Sequence, residues 1–311
     1  MESCREQWPC SDIGCVVVTY NRLEKLKNTL RCYESQGLLP RYVIVVDNAS
    51  TDGTYEYLEG WKEDCELFDK IVIHSEENGG GSGGFYLGEE ESLKRDADWV
   101  MLADDDAYPE PNYLKGIQDY IDAHNADEIS VVCGKVLERG SPENIHRSRW
   151  RKKWSRKFHR PVKAYEYEKS EFYPDFVSYV GIVVNKEKLN RVGLVDPANF
   201  IWCDDTEHAY RLSRVGRLVC LPPYTMVHDV DIGNEELSWK SYYGVRNDLV
   251  FFKKHFPSRY PFVLLKMFIK TVGDLLKGHG MIEAQLRFAA MKDSLVGNMG
   301  KNDRYKPGWK P

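Results

Sequence analysis

Three consecutive carboxylates, Asp104, Asp105 and Asp106, end an apolar run that begins at Trp99 and is typical of a buried strand. Adjacent negative charges repel one another, so their position at the end of a strand favours a cation beside them. Oxygen ligands suit Mg²⁺ or Mn²⁺, and alternate strand residues point the same way, so Asp104 and Asp106 can face one metal ion. A solvated acidic turn ahead of Pro109 is the other interpretation.

Polar residues also follow three other strand-like runs. The carboxyl ends of parallel strands meet at one edge of a sheet, where ligands collect, so we expect the functional site there. Asp47 can accept a hydrogen bond from the imide N–H of a uracil-type base, whereas Asp52 is better placed to cap a helix. The three polar runs are Thr19-Tyr20-Asn21, Asp47-Asn48-Ala49-Ser50 and Glu77-Asn78-Gly79.

Strand-like and helix-like patterns alternate along the first third of the chain. Ile13–Thr19 and residues 42–46 are continuous apolar runs, as in central parallel strands, and residues 22–36 between them have helical spacing. The alternation predicts an α/β fold with a mostly parallel sheet and helices on both faces. The other predicted elements are helices at 54–61, 84–94 and 113–124, strands at 70–74, 98–103, 130–136 and 176–185, and helices from 239 onward before a polar, loose tail.

The composition is that of an ordinary globular protein, with 42% hydrophobic and 29% charged residues among 311. A net charge of −5 argues against nucleic-acid binding. The eight cysteines form no CxxC pair, so we expect reduced thiols and a cytoplasmic location. Residues 1–11 lack the pattern of a signal peptide. Nothing in the composition indicates an oligomeric state.

The apolar segment 262–276 is interrupted by Lys266 and Lys270 and is too short to span a bilayer. A segment of this kind predicts a helix that packs on its own domain or lies in a bilayer interface.

A strongly basic segment, 147–163, contains nine Lys and Arg residues and no acid. Within it Trp150, Trp154 and Phe158 recur every fourth residue, which would stack three aromatic rings on one side of a helix. A solvated loop is an equally good interpretation of this composition.

Residues 16–22 and 46–54, followed by a strand that ends in Asp-Asp-Asp, resemble the family-two inverting glycosyltransferases of the Rossmann-like GT-A fold. The resemblance runs from Ile13 to about Pro257. Residues 78–88 and 200–211 look like stretches of bacterial galactofuranosyltransferases, which use UDP-galactofuranose. The resemblance implies an N-terminal extension at 1–12, a GT-A domain at 13–238, and a C-terminal helical region and tail at 239–311.

The resemblance also implies a UDP-sugar donor, a Mn²⁺ or Mg²⁺ cofactor and inversion by direct displacement. His228 is expected to join Asp104 and Asp106 as a metal ligand. Asp205 is expected to be the catalytic base and Asp204 to bind the acceptor hydroxyl, although a single Asp there could simply cap a helix. The residues expected at the donor are Thr19, Tyr20, Asn21, Asp47, Asn78, Gly80, Gly83, Asp105, Trp202 and Arg246.

Two of these donor residues have an alternative structural interpretation. Trp202 can stack on a sugar or belong to the core. Arg246 can contact a phosphate or the glycine run that follows Asn78, or it can form a structural salt bridge.

The expected function is transfer of a hexosyl unit, galactofuranose, to a hydroxyl of a cell-surface glycan precursor. The alternatives are a rhamnosyltransferase that uses dTDP-rhamnose and a catalytically inactive nucleotide- or carbohydrate-binding protein. The basic segment 147–163 and the apolar segment 262–276 suggest a lipid-diphosphate-linked acceptor and peripheral association with the inner face of the plasma membrane. Because the chain is shorter than the polymerising galactofuranosyltransferases, we expect it to add one sugar residue.

Overall fold

The computed structural model describes residues 9–64, 67–151, 158–230, 237–278 and 280–311. The strands in these ranges are β1 (Ile13–Thr19), β2 (Tyr42–Asp47), β3 (Asp69–His74), β4 (Trp99–Asp104), β5 (Ala107–Pro109), β6 (Ile129–Glu138), β7 (Ser141–Pro142), β8 (Arg147–Trp150), β9 (His159–Pro161), β10 (Phe176–Val177), β11 (Ile182–Asn185) and β12 (Arg217–His228). The helices are α1 (Leu23–Glu34), α2 (Thr54–Glu63), α3 (Gly80–Ser92), α4 (Tyr113–Ala123), α5 (Lys186–Val192), α6 (Asp204–Leu212), α7 (Trp239–His255), α8 (Tyr260–Leu276) and α9 (Met281–Val296).

The main sheet has the strand order β3-β2-β1-β4-β11-β6-β12-β5, and β7 pairs with β6. Strands β3, β2, β1 and β4 are parallel, and so are β6 and β12. The short strand β11 runs antiparallel between β4 and β6. One core packs helices α1, α2 and α4 against the sheet, and a second core packs α3, α5 and α6. The predicted α/β fold, with a mostly parallel sheet and helices on both faces, is confirmed.

The glycine run 79–84 is not a flexible loop, because α3 begins within it at Gly80. A Cβ atom on Gly84 would lie 2.4 Å from a methyl carbon of Val18, and one on Gly88 would lie 2.2 Å from a methyl carbon of Val16. These glycines therefore allow α3 to pack closely on β1. The predicted start of this helix, at residue 84, was wrong, because the helix already begins at Gly80.

For the middle of the chain, one predicted strand was wrong, and of the two interpretations of the basic segment the helix does not apply. The strand expected at 176–185 is broken at Gly181, whose φ of +69° suits glycine, and only its second half joins the main sheet. The basic segment is not a helix where it is described, because β8 and β9 pair antiparallel and β10 joins them in a small sheet. Trp150 and Phe158 pack against the aromatic core of the C-terminal helices, and Trp154 lies outside the described residues.

The C-terminal region is helical, as predicted, and α7 packs on both α8 and α9. The tail after α9 was expected to be loose, but Tyr305 is buried and stacks on Tyr242 with ring centroids 4.8 Å apart. The backbone N–H of Asn302 donates to the Tyr243 hydroxyl. The tail is thus fixed against α7, whose first turn reaches the site described next.

Candidate active site

A cleft of about 580 Å³ opens at the carboxyl ends of β1 and β4, beside the first turns of α3, α6 and α7. It is the edge at which the sequence places a ligand. The cleft is lined by eleven of the predicted site residues, namely Thr19, Tyr20, Asn78, Gly80, Asp104, Asp105, Asp106, Trp202, Asp204, Asp205 and His228. The structure does not bring Asn21, Asp47, Gly83 or Arg246 to the lining of this cleft.

Asp105 is buried beneath the floor of the cleft. Its carboxylate accepts hydrogen bonds from the Thr19 hydroxyl at 2.7 Å and from the Arg22 guanidinium at 3.1 Å. Burial raises the pKa of Asp105 to about 6 although the Arg22 charge opposes this shift. The side chain therefore ties the end of β4 to the β1–α1 loop.

Asp106 lies between two cations. One of its carboxylate oxygens accepts from Arg22 at 2.6 Å, and the other is 3.5 Å from Nε2 of His228. Burial alone would raise the pKa of Asp106, but the His228 hydrogen bond and the Arg22 charge outweigh it and lower the pKa.

His228 is held from its other ring nitrogen by Glu138, at the end of β6. Glu138 Oε1 is 2.8 Å from Nδ1 of His228 and 2.7 Å from Nε2 of His146, and Nδ1 of His146 is 2.8 Å from the Ser178 hydroxyl. Histidine ligands of metals are commonly oriented in this way by a carboxylate at the second ring nitrogen. The arrangement directs Nε2 of His228 towards Asp106.

Asp104 and the residues around it fit a divalent cation. Burial and the charges of Asp106 and Asp105 raise the pKa of Asp104 to about 7. The positive charges of His228 and Arg22 therefore do not balance the negative charge of the three carboxylates. Within the described ranges, no side chain donates a hydrogen bond to its carboxylate. Two carboxylates and one imidazole are a donor set that Mn²⁺ accepts. Among the described residues, however, the three side chains whose ligand atoms all lie within 4.8 Å of one another are Glu138, His146 and His228. The predicted set of Asp104, Asp106 and His228 does not meet this distance, although Asp106 and His228 are 3.5 Å apart.

Two cationic side chains line the same cleft, Arg22 and Lys240. Burial and the neighbouring Arg22 charge lower the pKa of Lys240. The cleft thus combines an acidic cluster that suits a metal ion with two positive charges that suit phosphate oxygens.

The first turn of α6 places Asp204 and Asp205 in the cleft. Asp204 accepts from the Ser82 hydroxyl at 2.8 Å. Asp205 accepts from the backbone N–H of Thr206 and, at 3.0 Å, from its hydroxyl. Burial and the adjacent Asp204 charge raise the pKa of Asp205 to about 7. A carboxylate with a pKa near neutrality is a stronger base than an ordinary aspartate.

A strained loop carries these two aspartates. Phe200, Trp202 and Cys203 have φ values of 66°, 64° and 66°, in the left-handed region that non-glycine residues rarely adopt. The Asn247 amide donates to the carbonyl oxygens of Asn199, Ile201 and Trp202 at 3.0, 3.0 and 2.8 Å.

The neighbouring Arg246 also supports this loop from within α7. It is buried and donates to the carbonyl oxygens of Ala198, Asn199 and Gly300. On the other side of the loop, a Cβ atom on Gly80 would lie 2.0 Å from the carbonyl oxygen of Phe200. The glycine at the start of α3 therefore allows the loop to pass closely over it.

Two of the remaining predicted donor residues, Asp47 and Asn21, have structural partners. Asp47 is fully buried, and its carboxylate accepts from the Ser50 N–H and lies 2.8 Å from Nδ1 of His74. Asn21 joins the β1–α1 loop to the β2–α2 loop by accepting from the Thr51 N–H. Gly83 faces open space on α3. Trp202, by contrast, is 46% exposed at the cleft and is not a core residue.

The family model for glycosyl transferase family 2 matches residues 15–181, more than half of the chain. The chain belongs to glycosyl transferase family 2. The matched region carries the Asp triplet, Arg22 and Glu138, whereas Asp205 and His228 lie beyond it.

Two relatives of this chain are named for different activities. Galactofuranosyltransferase GlfT1 of Mycolicibacterium smegmatis is 35% identical over 126 residues, and the match covers 40% of each chain. The dTDP-rhamnosyl transferase RfbF of Shigella flexneri is 26% identical over 262 residues, which cover 79% of this chain and 81% of that protein.

The fold of this family 2 chain is also that of a solved glycosyltransferase. The crystal structure of GalNAc-T7 with UDP, GalNAc and Mn²⁺ superposes with a TM-score of 0.64 and 14% identity, covering 94% of this chain and 57% of that one. This likeness shows the GT-A fold.

Four residues of the site were not identified from the sequence: Arg22, Glu138, His146 and Lys240. Glu138 ends a strand at the same edge as the Asp triplet, so the rule applied to the other strand ends would have found it. Arg22 directly follows the polar run after β1 and is likewise detectable. His146 and Lys240 carry no such signal, because only tertiary packing brings their segments to the cleft.

Proposed function

We propose that this chain is a metal-dependent, inverting glycosyltransferase that transfers galactofuranose from UDP-galactofuranose to a hydroxyl of a cell-surface glycan precursor. One observation carries the proposal. A single cleft is lined by Asp104, Asp106 and His228, whose carboxylate and imidazole groups suit a divalent cation, and also by Asp205, a carboxylate whose pKa is raised towards neutrality.

The residues of the cleft have complementary roles in this reaction. Asp104, Asp106 and His228 would hold Mn²⁺ or Mg²⁺, which supplies electrostatic stabilisation of the diphosphate leaving group. Arg22 and Lys240 are positioned to bind phosphate oxygens. Trp202 offers an exposed ring on which a sugar can stack.

The proton of the acceptor hydroxyl goes to Asp205. Direct displacement at the anomeric carbon requires a base on the side of the attacking hydroxyl, and the hydroxyl becomes acidic as the new bond forms. Asp204, whose carboxylate accepts from Ser82, would accept a further hydrogen bond from the acceptor. The strained loop 199–203, together with the hydrogen bonds that Asn247 donates to it, keeps both carboxylates in place.

The choice of galactofuranose is supported by the match to GlfT1 and by the resemblance of residues 78–88 and 200–211 to galactofuranosyltransferases. A screen of UDP-galactofuranose, UDP-galactopyranose, UDP-glucose and dTDP-rhamnose tests it. Released nucleoside diphosphate is measured with Mn²⁺ and with chelator, without acceptor, because such an enzyme hydrolyses its donor slowly. We expect Mn²⁺-dependent release that is fastest with UDP-galactofuranose. Equal rates for all donors, or no release from any, would contradict the proposal.

A rhamnosyltransferase is the second candidate, and the long match to RfbF favours it. Uracil and thymine present the same imide edge, so base recognition does not separate the two donors. Fastest release from dTDP-rhamnose in the same screen would establish this alternative.

The proposed acceptor is a glycan linked to a lipid diphosphate at a membrane surface. Basic residues near anionic headgroups add attraction, and the C-terminal region of the chain is rich in them. No helix in the described parts of the chain is long and apolar enough to cross a membrane.

A further inference from the structure

The helical hairpin α8–α9 presents a large apolar surface to solvent. Helix α8 buries one stripe, Val263, Met267 and Thr271, against its neighbours. The other sides of α8 carry five apolar side chains that are each at least 49% exposed, namely Phe262, Leu265, Phe268, Ile269 and Leu276. Contiguous apolar surfaces of this kind mark an interaction site.

The end of α9 extends this surface. Leu295 and Val296 are 51% and 69% exposed, and a groove of about 480 Å³ runs between them and Leu265 and Phe268. We call the five exposed apolar residues of α8 together with Leu295 and Val296 the apolar face. It lies on the far side of α8 from its buried stripe.

Charge distinguishes between the possible occupants of the apolar face. Although the whole chain has a net charge of −5, residues 239–311 contain 14 Lys and Arg residues against five Asp and Glu. Lys266 and Lys270 on α8 are exposed, as is Lys277 directly after it. The one acid of α8, Asp274, is paired with Lys270 and Arg287. Lysines beside an apolar stripe are the pattern of a helix that lies in the plane of a bilayer.

A second copy of the chain is a poorer occupant. A twofold dimer brings identical patches together, so two strongly basic regions would face each other. An anionic bilayer offers opposite charge to the lysines and an apolar interior to the exposed rings and aliphatic groups at the same time.

We propose that the apolar face docks on an anionic phospholipid bilayer. This inference rests on the proposed function, because it supplies the surface at which a lipid-linked acceptor would be met. The docking hairpin packs directly on α7, whose first residues Trp239 and Lys240 line the cleft. The membrane-bound hairpin and the site thus belong to adjoining parts of one helical layer.

Vesicle sedimentation with the full chain tests the proposal. The vesicles are phosphatidylcholine alone or phosphatidylcholine with phosphatidylglycerol, at low and high salt. We expect binding to the anionic vesicles that weakens with salt. A Leu265→Ser and Ile269→Ser double variant should lose binding, because it removes two apolar side chains that would insert into the bilayer interface. A Lys266→Gln and Lys277→Gln double variant should bind roughly 30-fold more weakly, as two lysine–headgroup attractions of about 1 kcal/mol each are removed.

The matched control is Lys94→Gln with Lys115→Gln, two exposed lysines, of which the first lies just after α3 and the second on α4. It removes the same charge and should bind as wild type. The docking proposal is overturned if wild type stays in the supernatant with anionic vesicles, or if the control loses as much binding as the α8 variants. It is equally overturned if sedimentation velocity shows a dimer that the Leu265→Ser and Ile269→Ser changes dissociate.

Donor hydrolysis separates this proposal from the proposed function. The two double variants, Leu265→Ser with Ile269→Ser and Lys266→Gln with Lys277→Gln, should release UDP from UDP-galactofuranose at the wild-type rate. The substituted residues lie outside the cleft. Vesicle binding without hydrolysis would leave docking supported and overturn the proposed activity. Hydrolysis without vesicle binding would support the proposed activity and overturn the docking proposal.

Discussion

Replacement of Asp205 by Asn is the sharpest test of the proposed chemistry. The side chain is isosteric, and its amide oxygen can still accept from the Thr206 N–H and hydroxyl, so the first turn of α6 should be unchanged. The variant lacks a base for the acceptor proton. General-base catalysis contributes about 10²- to 10⁴-fold, so kcat for transfer should fall by that factor while KM for the donor stays within about twofold.

The same substitution should not destabilise the fold. The pKa of Asp205 is raised to about 7 in the folded protein from an ordinary value near 4, so its ionisation opposes folding. That cost is absent below about pH 4, grows as pH rises, and reaches up to about 4 kcal/mol above pH 7. The variant should therefore melt at the same or a higher temperature than wild type at pH 8, with little difference at pH 4.

The assay follows UDP release in the presence of acceptor from pH 5 to 9. Wild-type kcat/KM should rise with pH through about 7 as Asp205 ionises, and the residual activity of the variant should lack this rise. Asp119→Asn, an exposed aspartate on α4, is the matched control and should behave as wild type. A variant that keeps more than a tenth of wild-type kcat, or that retains the same pH profile, would refute the assignment of Asp205 as the base.

Three other changes probe the support of the site. Glu138→Gln places an amide at Nδ1 of His228 and should weaken Mn²⁺ binding by about 10- to 100-fold in calorimetry; unchanged affinity would exclude a role in orienting His228. Asn247→Ala removes the side-chain donor of the Ile201 and Trp202 carbonyls and should lower kcat by about 100-fold and stability by about 1–3 kcal/mol, whereas full activity would show that the loop holds its shape unaided. Glu207→Gln removes a buried carboxylate whose pKa is held well below its ordinary value, despite burial, by His255, Arg211 and Lys254. Its stabilisation is present above about pH 4 and is lost as pH falls further, so urea unfolding should separate wild type and variant at pH 7 and bring them together towards pH 2, and a constant difference would contradict this linkage.

Much of the fold follows from local patterns in the sequence. Strands β1 and β2 are continuous apolar runs that are fully buried, and the polar residues after β1 and β4 line the cleft as the edge rule for parallel sheets expects. The apolar runs and the polar residues that follow them are both properties of short stretches of sequence, so they can be recognised without a structure.

The errors come from features that depend on distant neighbours. Glycine is a poor helix former, so the predicted helix begins at residue 84, whereas α3 begins at Gly80 and packs closely on β1. Trp150 and Phe158 have helical spacing, but Trp150 ends β8 and Phe158 lies just before β9, and both pack against α7 instead. The Glu138–His146–His228 cluster joins three segments that no sequence period links.

A crystal structure of the chain with UDP and Mn²⁺ tests the central claim most directly. The account predicts one Mn²⁺ coordinated by Asp104, Asp106 and Nε2 of His228 and by the diphosphate of UDP, with Asp205 in the same cleft. Anomalous scattering would locate the ion without ambiguity. Mn²⁺ held instead by Glu138, His146 and Nδ1 of His228, or bound away from the diphosphate, would contradict the account.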